Sequence, residues 1–354
     1  MDKVLRLICF FLLVYNVSGQ SGRIRSYSES TSEFEKPITS QTQDTAVAEE
    51  NGEIIKINTD LVVVPVQVLD KKGRAIRDLR RHEFKIFEND IEQQIAYFSS
   101  EEQSFTVILM IDTSYSTVFK LPDIQSAALQ FVAQLKPDDR VMVVSFDGEV
   151  KVLCQPTTYR YATKLAIEAT KNGSGTSLYD ALGKILEDEL SNISGRKAIV
   201  LLTDGVDTTS KNFSASDVLR LLEQTDSLVY VIQYDTYDDV RKSRNALAET
   251  TYGEDGKPIL VKGMPRKGER EDDYLLADKF LHDLASLSGG RKFRTSSNKV
   301  LSSAFFQIIE ELRRVYILGY YPESARKRGS RYYIKVRVYR PNLVVRARKS
   351  YIQR

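Results

Sequence analysis

Residues Phe105 to Ser116 read FTVILMIDTSYS, an apolar run from Val107 to Ile111 that stops at Asp112 and gives way to small polar residues. An apolar run of this length with no polar alternation fits a strand covered on both faces. Four more such runs follow: Val141 to Phe146, Ile199 to Thr203, Leu228 to Tyr234, and a weaker one at Arg291 to Arg294. Helical stretches separate them. Gln125 to Leu135 places Ala128, Phe131, Val132 and Leu135 on one face, and Leu178 to Leu190 does the same with Leu182, Ile185, Leu186 and Leu190. Ala215 to Leu222, Leu275 to Leu287 and Val300 to Leu312 complete the set. Buried strands alternating with amphipathic helices predict a doubly wound α/β fold with a mostly parallel sheet.

The flanks have a different period. Val62, Val64, Val66 and Val68 alternate with Val63, Pro65 and Gln67, and Phe84 to Phe87 and Ile95 to Phe98 read as further short strands. Behind the α/β region, Val315 to Tyr321, Tyr332 to Tyr339 and Leu343 to Ile352 are three strand candidates, broken by Pro322, Gly329-Ser330 and Pro341-Asn342. Neither flank alone supplies a convincing core, so residues 54–100 and 313–354 are expected to pair into one β-sandwich-like module. The α/β domain, 104–312, is then an insertion within it.

Composition narrows the class. A net charge of +3 over 354 residues gives no nucleic-acid signal. Basic residues gather between Arg313 and Arg354, a pattern that a polyanion-binding face and the solvent side of antiparallel strands both produce. Residues 1–19 have the form of a secretory signal: Lys3 and Arg6, the apolar stretch Leu7 to Tyr15, then Val17-Ser18-Gly19. That apolar stretch is short for a bilayer span, so a secreted or periplasmic protein without stable membrane insertion is expected. Residues 20–53 are rich in Ser, Thr, Gln and Glu and read as a disordered tether. With Cys9 inside the signal, Cys154 has no disulfide partner in the mature chain.

In open α/β sheets, ligands bind at the carboxyl ends of the strands. Asp112-Thr113-Ser114-Tyr115-Ser116 follows the first α/β run, and Asp204-Gly205 follows the run ending at Thr203. A third loop, Asn172 to Ser177, opens the helix from Leu178. The candidate ligands Asp112, Ser114, Ser116, Thr176 and Asp204 all offer hard oxygen, which suits Mg²⁺ first, and also Mn²⁺ or Ca²⁺, over zinc. Two carboxylates against three neutral hydroxyls would leave a dication incompletely neutralised and receptive to an acidic side chain from a protein partner. Taken singly, each residue is also accounted for by a helix cap or a turn.

This set resembles the metal-ion-dependent adhesion site of von Willebrand factor type A domains, with D-x-S-x-S after the first strand, Thr in a glycine-rich loop and T-D-G after a central strand. The resemblance covers about Phe105 to Leu312, and the flanking segments are similar to those of a VWFA-related family of exported bacterial proteins. It implies hydroxyl ligation by Ser114, Ser116 and Thr176, and carboxylates at Asp112 and Asp204 that act largely through water. It also implies adhesion, not catalysis. Tyr115, Gly175 and Asp235 are candidate partner contacts. Residues 235–273, dotted with Gly253, Gly256, Pro258, Gly263, Pro265 and Gly268, read as a long insertion loop bordering the same edge.

Two other classes stay in view. One is a scaffold in which the metal merely stabilises the fold, and the other is a metal-assisted hydrolase. A haloacid-dehalogenase-type phosphatase would want a second acid two residues after Asp112, where Ser114 stands. His82 and His282 are far apart in sequence, and no G-x-S-x-G, H-E-x-x-H or P-loop spacing occurs.

Overall fold

The computed structural model describes residues 61–117, 120–246, 249–252, 258–261, 265–295, 298–323 and 326–353. The expected signal and tether lie outside them. The leading flank carries β1 (Val62–Asp70), β2 (Phe84–Glu88), β3 (Ile91–Gln93) and β4 (Ile95–Ser99). Next come β5 (Phe105–Asp112), α1 (Leu121–Ala133), β6 (Arg140–Phe146), β7 (Val150–Thr157) and α2 (Arg160–Glu168). They are followed by α3 (Leu178–Lys184), β8 (Arg196–Thr203), α4 (Ala215–Leu222), β9 (Leu228–Tyr234) and α5 (Tyr237–Ala246). After β10 (Glu249–Tyr252) and β11 (Pro258–Val261), α6 (Glu271–Ser288), β12 (Arg291–Thr295) and α7 (Asn298–Leu312) close this part. The trailing flank holds β13 (Val315–Tyr320), β14 (Arg331–Val338), β15 (Leu343–Ala347) and β16 (Ser350–Ile352).

The central sheet has the order β12-β9-β8-β5-β6-β7, parallel except for the antiparallel edge strand β7. Every residue of β5 is buried, and its side chains divide by parity. Val107, Leu109 and Ile111 pack with Ile124, Phe131, Leu301 and Phe305 from α1 and α7. Ile108 and Met110 face Leu182, Val218, Leu281 and Leu284 from α3, α4 and α6. Helices on both faces explain the unbroken apolar run. From β5 the chain passes through α1 to β6 on one side, while β8 lies on the other. The crevice at such a switch point opens at the carboxyl ends of β5 and β8, where Asp112 and Asp204 stand.

The flanks form two antiparallel four-stranded sheets, β15-β1-β13-β4 and β16-β14-β2-β3. Each mixes strands from before and after the α/β domain, and they share one core. Val64, Val66 and Val68 meet Ile86, Leu318, Tyr320, Ile334 and Tyr351 there. Within it Glu88 accepts hydrogen bonds from Tyr320 (2.6 Å), Tyr351 (3.0 Å) and Arg326 (2.5 Å). The module is fastened to the α/β domain at the end of α4. Glu223 takes a 2.6 Å bond from Arg331, and its carbonyl accepts from Ile352 N at 3.0 Å. On the other face of β1, Gln67 bonds the hydroxyl of buried Tyr230.

Three local differences from the sequence expectations have physical causes. Residues 235–273 are not one loop: they include α5, the β10–β11 pair and the first turn of α6. The glycines and prolines that suggested a loop begin only at Gly253. Ahead of them Asp238 and Asp239 occupy the first turn of α5, where they complement the helix dipole, and Asp238 pairs with Arg241 at 2.9 Å. The stretch Leu343 to Ile352 is two strands, β15 and β16, which join different sheets on either side of Arg348-Lys349. The helix from Leu178 is regular only to Lys184 and continues as a wider π-helical turn over Ile185–Glu189.

Candidate metal centre

Asp112 is the last residue of β5, and Asp204 directly follows β8, its neighbour in the sheet. Both are buried, at 0% and 1% exposure. The chain turns sharply after each. Asp112 Oδ1 accepts the backbone N–H of Ser114 (2.9 Å), and Asp204 Oδ1 accepts that of Val206 (3.0 Å). These turns set each carboxylate at the strand end and hold the next residues back over it. Gly205 follows at φ +90°, where a side chain would also strike Leu281.

The hydroxyls bridge the two loops. Ser114 Oγ lies 3.1 Å from Ser116 Oγ, and Ser116 Oγ donates to Asp204 Oδ2 at 2.7 Å. Thr203 Oγ1 donates to Asp112 Oδ2 at 2.6 Å. The third loop is bound to the other two through its backbone and the Asn172 side chain. Gly173 N donates to the Thr113 carbonyl (2.9 Å), and Asn172 Nδ2 to that of Ser114 (3.2 Å). The Thr176 carbonyl accepts from Thr208 N and Thr209 N at 2.9 and 3.0 Å. Thr176 is therefore held between the loop after β5 and the loop after β8. No hydrogen bond joins its hydroxyl to the other four candidates among the described residues.

Sequence reasoning missed a second layer. Thr236, buried two residues beyond β9, donates to Asp204 Oδ2 at 2.6 Å, and Tyr274 of α6 lies 3.2 Å from the Thr236 hydroxyl. Only the position of Thr236 just past a central strand could have signalled this, since Tyr274 comes from a distant helix. Thr117 closes the turn from below, donating to the carbonyls of Ser114 (2.8 Å) and Asp112 (3.2 Å). The Tyr234 hydroxyl is buried with no hydrogen-bond partner among the described residues. Burial, then the charges of Asp112 and Asp204, hold it protonated far above the usual phenol range.

Two carboxyls in a dry site repel. Burial first, and then Asp204, push the Asp112 carboxyl up to about 7, against the bonds from Ser114 and Thr203 that favour its charge. Among the described residues neither Asp112 nor Asp204 has a Lys, Arg or His within ion-pair distance. Lys120, the cation of the first loop, is directed elsewhere, to the Asp235 carbonyl (2.5 Å) and Asp239 (3.4 Å). Among the described residues no group of three or more His, Cys, Asp or Glu could hold a metal ion. A cation here would have to use hydroxyls beside two carboxylates. The donor set suits a hard dication: it supplies oxygen only, and it lacks the positive charge that the acid pair needs.

The candidate partner contacts lie apart from this network. Tyr115 is 67% exposed, in the short turn Tyr115–Thr117 between the two serines. Gly175 adopts φ +78°, and a side chain there would meet Thr209. Asp235 is exposed, and its carboxylate accepts from Tyr237 N at 3.3 Å.

Residues 107–206 match the von Willebrand factor type A domain family model. A UPF0353 protein of Mycolicibacterium gilvum is 26% identical over 226 residues, covering 58% of this chain and 60% of its own length. Another, from Mycobacterium leprae, is 32% identical over 122 residues, 30% of this chain and 36% of that protein. The chain thus spans three fifths or less of these relatives. Among solved structures, the von Willebrand domain of the type V pili tip protein Mfa5 from Porphyromonas gingivalis aligns at 14% identity and TM-score 0.42, covering 58% of this chain and 93% of that one. Proximal thread matrix protein 1 of the mussel byssus, with a zinc-occupied MIDAS motif, aligns at 16% identity and TM-score 0.45, covering 64% and 50%. All five candidate ligands fall inside the segment 107–206 that matches the von Willebrand factor type A domain model.

Proposed function

We propose that this chain is an exported, non-catalytic module that binds a protein partner through a divalent cation held by Asp112, Ser114, Ser116, Thr176 and Asp204. The observation that supports it best is the buried acid pair at adjacent strand ends, without a cationic partner among the described residues and joined through serine hydroxyls. When bound, a Mg²⁺-class ion supplies the missing positive charge and an electrophilic position for an acidic side chain of the partner. The chain's own residues do the rest. Thr203 and Thr236 fix the two carboxylates, and Ser114 and Ser116 present hydroxyls between them. Tyr115 stands exposed beside the opening, where a partner would touch it.

The test is capture of envelope proteins on the immobilised chain with Mg²⁺, with EDTA, and on an Asp112→Ala variant shown to be folded by circular dichroism. A partner retained only on the wild type with Mg²⁺ is the expected result. Equal retention in EDTA and on the variant would overturn the proposal. The basis for export is the N-terminal segment alone; no helix among the described residues is long and apolar enough to cross a membrane.

A further inference from the structure

We infer that the cavity between the C-terminal end of α6 and the β15–β16 corner binds an organic oxyanion, a carboxylate or phosphate carried on a small apolar body. The cavity measures about 460 Å³, within the range of small-molecule pockets. Five cationic residues line it, Arg291, Lys292, Arg346, Arg348 and Lys349, with no Asp or Glu among the described lining residues. Apolar wall is contributed by Ile334, Val336 and Val345 of the β module.

The carboxylates nearby are mostly engaged by other partners, and among the described residues none forms an ion pair with Arg348 or Lys349. Glu311 is shared by Arg291 (3.0 Å) and Arg346 (3.5 Å), and Asp278 takes Lys292 (2.6 Å). Among the described residues Lys349 reaches only the Ser286 hydroxyl, at 2.6 Å, where it also complements the α6 carboxyl end. Arg348 is 9% exposed, and its Nη1 donates to the Thr225 carbonyl at 2.8 Å. Its Nε is buried with no hydrogen-bond partner among the described residues. Glu223 is held by Arg331 at 2.6 Å, and Asp226 acts on Arg348 through its charge without an ion pair among the described residues. A buried guanidinium with an unused N–H is costly unless an acceptor arrives. An oxyanion is the acceptor that matches a planar guanidinium fork. Three basic residues of the C-terminal segment, Arg346, Arg348 and Lys349, thus gather at one cavity, while Arg331, Lys335 and Arg337 lie on the exposed side of β14. The cavity walls belong to both the α/β domain and the β module, so a ligand there would brace their junction.

The test uses the full chain in EDTA, so that divalent-cation binding makes no contribution. Phenyl phosphate, phenylacetate and inorganic phosphate are titrated by calorimetry and thermal shift, with KCl at matched ionic strength. The expected result is saturable binding of at least one aromatic anion, one per chain, with a raised Tm and inorganic phosphate at least about tenfold weaker. Preference between the two aromatic probes identifies phosphate or carboxylate as the natural head group. Arg346→Met and Lys349→Met should each weaken binding about tenfold while leaving the fold intact, and Arg348→Met should abolish it. Absence of binding by both aromatic anions, reproduction of the shift by KCl, or wild-type affinity in Arg346→Met and Lys349→Met would overturn the inference.

Discussion

Ser116 Oγ donates a 2.7 Å hydrogen bond to Asp204 Oδ2, joining two loops 88 residues apart in sequence directly over the switch point of the sheet. This contact ties a hydroxyl from the β5 loop to a carboxylate from the β8 loop. Ser116→Ala should leave Tm within a few degrees and lower Mn²⁺ affinity at least about tenfold, by analogy with the loss of supporting contacts at metal sites. Isothermal calorimetry measures it, and unchanged affinity would remove Ser116 from the ligand set.

Asp112→Asn should act with opposite sign in the two metal states. Without metal it relieves a buried carboxylate pair, so the variant should be more stable by about 1–3 kcal/mol, as when an uncompensated buried charge is removed. With saturating Mg²⁺ the wild type should gain stability through linkage while the variant gains none. Urea unfolding with EDTA and with Mg²⁺ gives the four values.

The Glu88 cluster tests the β module. Arg326 and Glu88 are both 7% exposed at their side chains and pair at 2.5 Å. Arg326→Met should cost about 3–5 kcal/mol, because it leaves a buried carboxylate facing only the two tyrosine hydroxyls. Adding Glu88→Gln should restore most of that loss. A double variant no more stable than the single one would show that the charge itself is not the problem.

Gly205→Ala should disturb the site through the backbone. At φ +90° a Cβ is strained, and it would lie 2.5 Å from Leu281 Cδ1. A loss of about 1–3 kcal/mol is expected, together with weaker cation binding, since Gly205 sets the turn after Asp204. Wild-type stability and affinity would contradict this.

The central sheet can be read from sequence because its strands are buried on both faces, which leaves unbroken apolar runs such as Val107 to Ile111. The edge strand β7 cannot, since its residues are half-exposed and Val150 to Thr157 carry no clean period. The corner at Arg348-Lys349 is hidden because no Gly or Pro marks it, while the hydrogen-bond partners change from β1 to β14. At the site, the five candidates stand in local motifs at strand ends and helix entries, which made them visible. Tyr274 does not, and Thr236, though just past β9, belongs to no motif. Their part depends on β9 and α6 converging on Asp204, a tertiary fact that no local spacing encodes.

Whether a cation sits over the acid pair is decided by an anomalous difference map from a crystal of the full chain soaked in Mn²⁺. One strong peak is expected at the carboxyl ends of β5 and β8, bonded to the Ser114 and Ser116 hydroxyls and absent from an Asp112→Ala crystal. No peak there at saturating Mn²⁺, or a peak that persists in Asp112→Ala, would refute the metal site.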